Sequence, residues 1–245
     1  MIAIPITTDL TTPERVLAIG AHPDDIEFGC GATLAKWARA GADVHLCVLT
    51  DGSKGTWDPR RDIAELVRIR VAEQQAAAHR LGAQEVHMLG RVDGELDSDL
   101  ATRADLCRVI RNARPDVVLG HDPWKRYRLH PDHRHAGQLT IDSIVAARDP
   151  HFFADQGLAP HRPRALLLFE AETIDHVERV RDADVDARIA ALLAHESQWE
   201  STMRIAADPA AERTRFEDAQ RRECAAAGQR VGEPLGEAFK RIDDL

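Results

Sequence analysis

"AIGAHPDDIEFGCGATLAKW" spans residues 18–37. Its apolar opening stops at Ala21, and His22-Pro23-Asp24-Asp25 follows at once. Three ionisable side chains gather where a buried strand hands over to a helix. One reading is local: Asp is favoured at helix N-termini by capping and by the helix dipole. For one such motif standing alone, capping is the better reading. The rest of the chain turns the balance.

Working outward, five apolar runs alternate with helical patterns: 15–22, 43–50, 85–90, 116–122 and 165–171. Each is nearly continuous in apolar residues, as in strands covered on both faces. Helices are predicted near 31–41, 60–81, 98–114 and 132–148, with Gly41 and Gly82 at C-cap positions and Pro115 after the third. Repeated strand–helix order predicts an α/β fold, a Rossmann-like open, mostly parallel sheet flanked by helices. After residue 172 the pattern reads as helical, over 184–202 and roughly 208–227. Loops are expected at 51–59, 91–97, 121–131 and 149–163. Without repeat, linker or low-complexity stretch, residues 1–245 read as a single domain.

Ligands of an open parallel sheet bind beyond the carboxyl ends of its strands, where strand order reverses. In Rossmann-like order the first and fourth strands flank that point. The first ends in "AHPDD" and the fourth in "GHDPWKRYRLHPDHRH". The two richest His/Asp clusters would then face each other across one crevice, which capping does not explain. A catalytic zinc site needs three protein ligands and one open position. His22 and Asp25 stand three apart on a turn; either His130 or His133 could supply the third ligand. Hydrolysis also needs a carboxylate to take a proton from water and an acid to protonate the leaving group. Asp24 fits the first role, and His130 with Asp132 the second. Among the other histidines, His45 and His87 lie within strands and read as core or sheet-end residues. His79, His151, His161 and His176 also take structural readings, and His121 and His135 border the second cluster.

Composition narrows the classes. A net charge of −9 opposes a broad nucleic-acid surface. No apolar run reaches membrane-span length, and the first residues lack signal-peptide character. A cytoplasmic location is the expectation. Cys30, Cys47, Cys107 and Cys224 form no CxxC pair and read as reduced thiols. Gly29-Cys30-Gly31 with Asp51 mimics a dinucleotide fingerprint, but Leu34 replaces its third small residue. The acids at 24, 25 and 27 would also stand against the pyrophosphate. A dinucleotide-binding oxidoreductase is therefore a minor alternative.

At these residues the sequence is similar to the LmbE-like, or PIG-L, family of zinc-dependent N-acetylglucosaminyl deacetylases. "AHPDD" and "HPDH" (130–133) are the most specific matches. "GCGATLAKWARAGADVHLCVLTDG", "RVAEQQAAAHRLG", "DGEL", "RPDVVLGHDP", "AHESQ" (194–198) and "GEAF" (236–239) support them. The resemblance implies zinc on His22, Asp25 and His133; the mixed nitrogen and oxygen donors also suit Fe2+. The resemblance makes Asp24 the general base and His130 the general acid, supported by Asp132. The implied reaction removes an acyl, typically acetyl, group from an N-acylated amino sugar or related small-molecule conjugate. A zinc-dependent hydratase or lyase on the same scaffold is the alternative, and self-association is left open.

Two departures stand out. Family sugar deacetylases often carry glutamate in the loop after the second strand; here "TDGSKGTWDP" offers Ser53 and Lys54. Some members place a tyrosine two residues before the acid histidine, whereas Tyr127 precedes His130 by three. That shift bears on Tyr127 as an oxyanion donor. Arg70 falls mid-way along the apolar face marked by Ile63, Leu66, Val67, Gln74 and Leu81. It reads either as a substrate contact, with Asp93 as a second, or as a buried ion pair with Glu73 or a loop Asp.

Overall fold

The computed structural model describes residues 5–245. Its eight-stranded sheet is formed by β1 (Thr7–Thr8), β2 (Arg15–Gly20), β3 (Asp43–Thr50), β4 (Glu85–Arg91), β5 (Val117–His121), β6 (Ala165–Phe169), β7 (His176–Arg179) and β8 (Gly236–Ile242). Their spatial order is β1-β7-β8-β6-β5-β2-β3-β4. The five anticipated strands, β2 to β6, pair in parallel, and order reverses between β2 and β5. Strands β1, β7 and β8 were not anticipated. Strand β8 runs antiparallel between β6 and β7, so the C-terminal part is not purely helical.

Alternation along β2 assigns its side chains to two layers. Val16 and Ala18 face helices α1 (Asp25–Arg39) and α2 (Ile63–Leu81). Leu17 and Ile19 face α3 (Leu100–Ala113) and α4 (Pro131–Arg148). Apolar cover on both sides explains the unbroken hydrophobic runs.

Helix α1 is broken in the middle. Cys30 has φ −154° and ψ 18°, and the amides of Ala32 and Thr33 donate to the Glu237 carboxylate at 3.0 and 2.6 Å. The segment expected from residue 31 is thus a second helical stretch with a cap brought from β8. The first stretch carries the acidic turn. At Gly29, an added Cβ would lie 2.4 Å from the Phe169 ring, so this glycine allows α1 to sit directly on β6.

The helix expected over 184–202 ends early. Helix α5 covers Asp182–Leu192, followed by a 3-10 turn at Glu196–Gln198 and a π turn at Trp199–Met203. Ser197 donates from its amide and hydroxyl to Glu73 of α2, at 2.7 and 2.6 Å. These tertiary bonds turn the chain where no Gly or Pro announces a break. Helix α6 (Pro209–Gln229) completes the fold.

Candidate active site

The carboxyl ends of β2 and β5 bring the two His/Asp clusters together. Nδ1 of His22 lies 3.2 Å from Asp25 Oδ2 and 3.2 Å from His133 Nε2, which is 3.2 Å from Asp25 Oδ1. Three donors bound tetrahedrally to zinc at 2.0–2.1 Å are separated by about 3.3 Å. With either Asp25 oxygen turned inward, this spacing suits three donors to one divalent ion.

The surroundings fit the same group. Nε2 of His22 faces Asp132 Oδ2 and Asp93 Oδ1, both at 3.1 Å. An ion held by Nδ1 would take the place of the proton on that nitrogen and leave the Nε2 proton directed to the two carboxylates. Burial disfavours charge on His22, yet hydrogen bonds to Asp132, Asp25 and Asp93 outweigh it and push its pKa up to about 12. Burial also opposes ionisation of Asp25, but His133 and His121 hold its carboxyl well below the usual range. His22, Asp24, Asp93 and Asp132 are all buried. Three acids around one imidazole form a set whose negative charge a divalent ion would offset.

Asp24 is not a cap. It occupies the N-cap position of α1 at φ 96°, with no side-chain capping bond. Such a left-handed conformation strains a non-glycine residue and is held only where its surroundings require it. Its amide donates to Gln74 Oε1 at 3.2 Å; Gln74 Nε2 donates to Glu27 Oε1 at 2.7 Å, and His195 Nε2 is 3.7 Å from Glu27 Oε2. Burial raises the Asp24 pKa to about 6, against the nearby Arg70 guanidinium. A base that titrates near neutrality suits proton abstraction from water.

His130 stands exposed at the mouth, its ring 4.6 Å from His22 and 4.9 Å from His133. Burial, then His22 and His133, lower its pKa. Asp132 does not support it through a hydrogen bond: Oδ2 is spent on His22 and on the Gly94 amide, at 2.6 Å. The expected His130–Asp132 pair is replaced by a His22–Asp132 pair. The reason is position in α4. Asp132 sits in the first turn and points into the protein, while His130 precedes the helix.

Arg70 is 3 % exposed. Its guanidinium donates to Pro23 O at 2.6 Å and Gly52 O at 2.9 Å, and Nη2 lies 3.7 Å from Asp24 Oδ2. Glu73, the other expected partner, is engaged by Ser197. Lys54 stays exposed at the cleft and lies along the 93–95 turn, bonding Asp93 O and Glu95. Tyr127 is 88 % exposed and lies outside the cleft lining, so the structure does not bring it to the site.

Sequence reasoning missed the support behind the candidate ligands. His121, at the last position of β5, places Nε2 3.3 Å from Asp25 Oδ2 and stacks on His133 at 4.4 Å. Arg128 Nη1 approaches Nδ1 of both His121 and His133 at 3.2 Å and donates to Glu170 at 2.5 Å. The strand-end position of His121 was the available signal; Arg128 and Glu170 gave none. The cleft over these groups measures about 390 Å³ and is also walled by Trp57, Gln198, Ser201 and Thr202.

Residues 17–144 match the family described as PIG-L, GlcNAc-PI de-N-acetylase. The chain belongs to this family. It is 37 % identical over 189 residues to the diacetylchitobiose deacetylase of Thermococcus kodakarensis, covering 76 % of this chain and 70 % of that one. It is 31 % identical over 169 residues to the 1D-myo-inositol 2-acetamido-2-deoxy-alpha-D-glucopyranoside deacetylase of Kineococcus radiotolerans, covering 56 % and 46 %. The N,N'-diacetylchitobiose deacetylase of Pyrococcus horikoshii superposes with a TM-score of 0.84 at 30 % identity, over 94 % of this chain and 84 % of that one. Family members and these relatives are N-deacetylase hydrolases. No described helix is long and apolar enough to cross a membrane.

Proposed function

We propose that the protein is a zinc-dependent hydrolase that removes the acetyl group from an N-acetylated glucosamine unit within a small glycoside or oligosaccharide. The observation that carries this reading is the 3.2 Å triangle of His22, Asp25 and His133, with Asp24 and His130 on the same cleft. A divalent ion held there supplies Lewis-acid polarisation of the acyl oxygen and acidifies water.

The chain's own groups do the rest. Asp24 accepts a proton from the attacking water; Gln74 accepts from its backbone amide, and the Arg70 guanidinium lies 3.7 Å from its carboxylate. His130, outside the buried set and open to solvent at the cleft mouth, would pass a proton taken up there to the departing amine. Asp132 and Asp93 hold His22; His121 holds Asp25. Arg70 fixes the Pro23 and Gly52 carbonyls, and through them the shape of the cleft floor against which a sugar would rest. Support for a sugar substrate comes from the two diacetylchitobiose deacetylases, each at least 30 % identical. The fold also matches a 4-carboxy-2-hydroxymuconate hydratase from Pseudomonas putida, at 20 % identity and a TM-score of 0.74. That likeness concerns the fold alone.

The test is acetate and free-amine release across a panel of N-acetylglucosaminides, including N,N'-diacetylchitobiose. Release that stops on chelation and returns with zinc is expected. Turnover of none of the panel by zinc-loaded protein would refute the proposed function.

A further inference from the structure

A second set of metal-type donors lies at the opposite end of the sheet. Two strands begin alike: Asp43-Val44-His45 opens β3, and Glu85-Val86-His87 opens β4. Side chains two apart on a strand share a face. His45 is registered against Glu85, and Cys47 against His87. All four polar side chains therefore stand on one face of two neighbouring parallel strands. Val44 and Val86, between them, point to the other face and pack in the core.

The contacts turn this array into a site. His45 Nε2 lies 3.2 Å from Asp43 Oδ1, and its Nδ1 lies 3.4 Å from Glu85 Oε2. Nδ1 of His87 lies 3.7 Å from Glu85 Oε1. One donor from each of His45, Glu85 and His87 falls within 4.8 Å of the others. The rings are nearly parallel, 23° apart with centroids at 5.8 Å. Two ring nitrogens, His45 Nδ1 and His87 Nε2, are buried without a hydrogen-bond partner.

We propose that His45, Glu85 and His87 bind a second divalent transition-metal ion, with Asp43 orienting His45. The donors are two imidazole nitrogens and a carboxylate, a set suited to zinc and its neighbours and less to calcium or magnesium. Asp43 takes the Nε2 proton of His45 and directs Nδ1 toward Glu85, the arrangement that carboxylates serve behind metal-bound histidines. Water completes the coordination, because Glu85 is 57 % exposed and a groove of about 540 Å³ opens beside His45 and Glu85. The location separates this ion from catalysis. His45 lies five residues before Thr50 at the carboxyl end of β3, roughly 16 Å along the strand. The second ion is structural: it ties edge strand β4 to β3.

The test counts metal. Wild-type protein is dialysed to equilibrium against buffered free zinc and analysed by elemental mass spectrometry. About two ions per chain are expected, falling to about one in His45→Asn/His87→Asn with acetate release unchanged. His22→Asn/His133→Asn should also hold about one, and adding the edge substitutions should remove it. Asp43→Asn should weaken the edge ion tenfold to a hundredfold. Zinc content in His45→Asn/His87→Asn equal to wild type overturns the proposal. Nitrogen-15 NMR of the wild-type imidazoles gives a check independent of variant folding. Zinc-dependent shifts at Nδ1 of His45 and at one ring nitrogen of His87 are expected, and their absence at saturating zinc also overturns it.

Discussion

Replacing Asp132 by Asn separates two accounts of this residue. In the structure its Oδ2 atom accepts from His22 Nε2 at 3.1 Å and from the Gly94 amide at 2.6 Å. The side chain is fully buried. Burial works against its ionisation, but the His22 and Gly94 hydrogen bonds hold its carboxyl below the usual range. Asn would keep one oxygen and lose the charge that would make His22 a better ligand for the proposed ion. Removing such a partner behind a metal-bound histidine costs tenfold to a hundredfold in metal affinity. Asp93 Oδ1 remains 3.1 Å from the same nitrogen, so the lower end is expected: about tenfold, or about 1.4 kcal/mol. Asp93→Asn/Asp132→Asn should then move toward a hundredfold. Zinc affinity is read by competition with a chromophoric chelator, and kcat is measured at saturating zinc. The structure predicts weakened zinc binding, with most activity restored by added zinc. Unchanged zinc affinity with a large fall in kcat at saturating zinc would refute it and return Asp132 to the service of His130.

Other expectations follow from the same geometry. Asp24→Asn should retain zinc while lowering kcat by about 10²–10⁴, read by metal analysis beside acetate release; near-normal turnover would remove Asp24 as the base. Arg70→Lys cannot span both Pro23 O and Gly52 O, so melting temperature and kcat/KM should fall together. A fall in kcat/KM alone would instead make Arg70 a direct substrate contact. Tyr127→Phe should leave kcat unchanged, since the side chain is 88 % exposed and away from the cleft. Burial pushes the Cys47 and Cys224 thiols up to about 12, so both should resist alkylation at pH 8 in the native protein and react on unfolding.

What was legible in the sequence follows from which forces act locally. Doubly covered strands declare themselves by unbroken apolar runs, and the order of β2 to β6 follows from strand–helix alternation. That order alone placed "AHPDD" opposite "HPDH". Strand β8 was hidden because Glu237 is a buried acid within it, and composition gives no sign that Ala32, Thr33 and Arg188 await that carboxylate. Helix α5 was overextended for a related reason: the bonds from Ser197 to Glu73 cross 124 positions.

The same distinction governs the site. Residue types and spacing select the donors, because a turn places residues three apart at one point. Which donor faces which partner depends on orientation, and orientation is tertiary. Asp132 lies between His130 and His133 in sequence, yet its carboxylate reaches across to His22, 110 positions away. The link is physical and not incidental. Gly137, one turn further along α4, approaches the end of β5 so closely that an added Cβ would lie 2.6 Å from His121 O. That close approach seats the first turn of α4 against the end of β5, beside β2, and lets Asp132 meet the imidazole that β2 delivers. Gly137→Ala should therefore weaken zinc binding without touching a ligand, because it would push Asp132 and His133 away from His22 together. Zinc affinity equal to wild type in a folded Gly137→Ala protein would show that the donor triangle is set by the two loops alone.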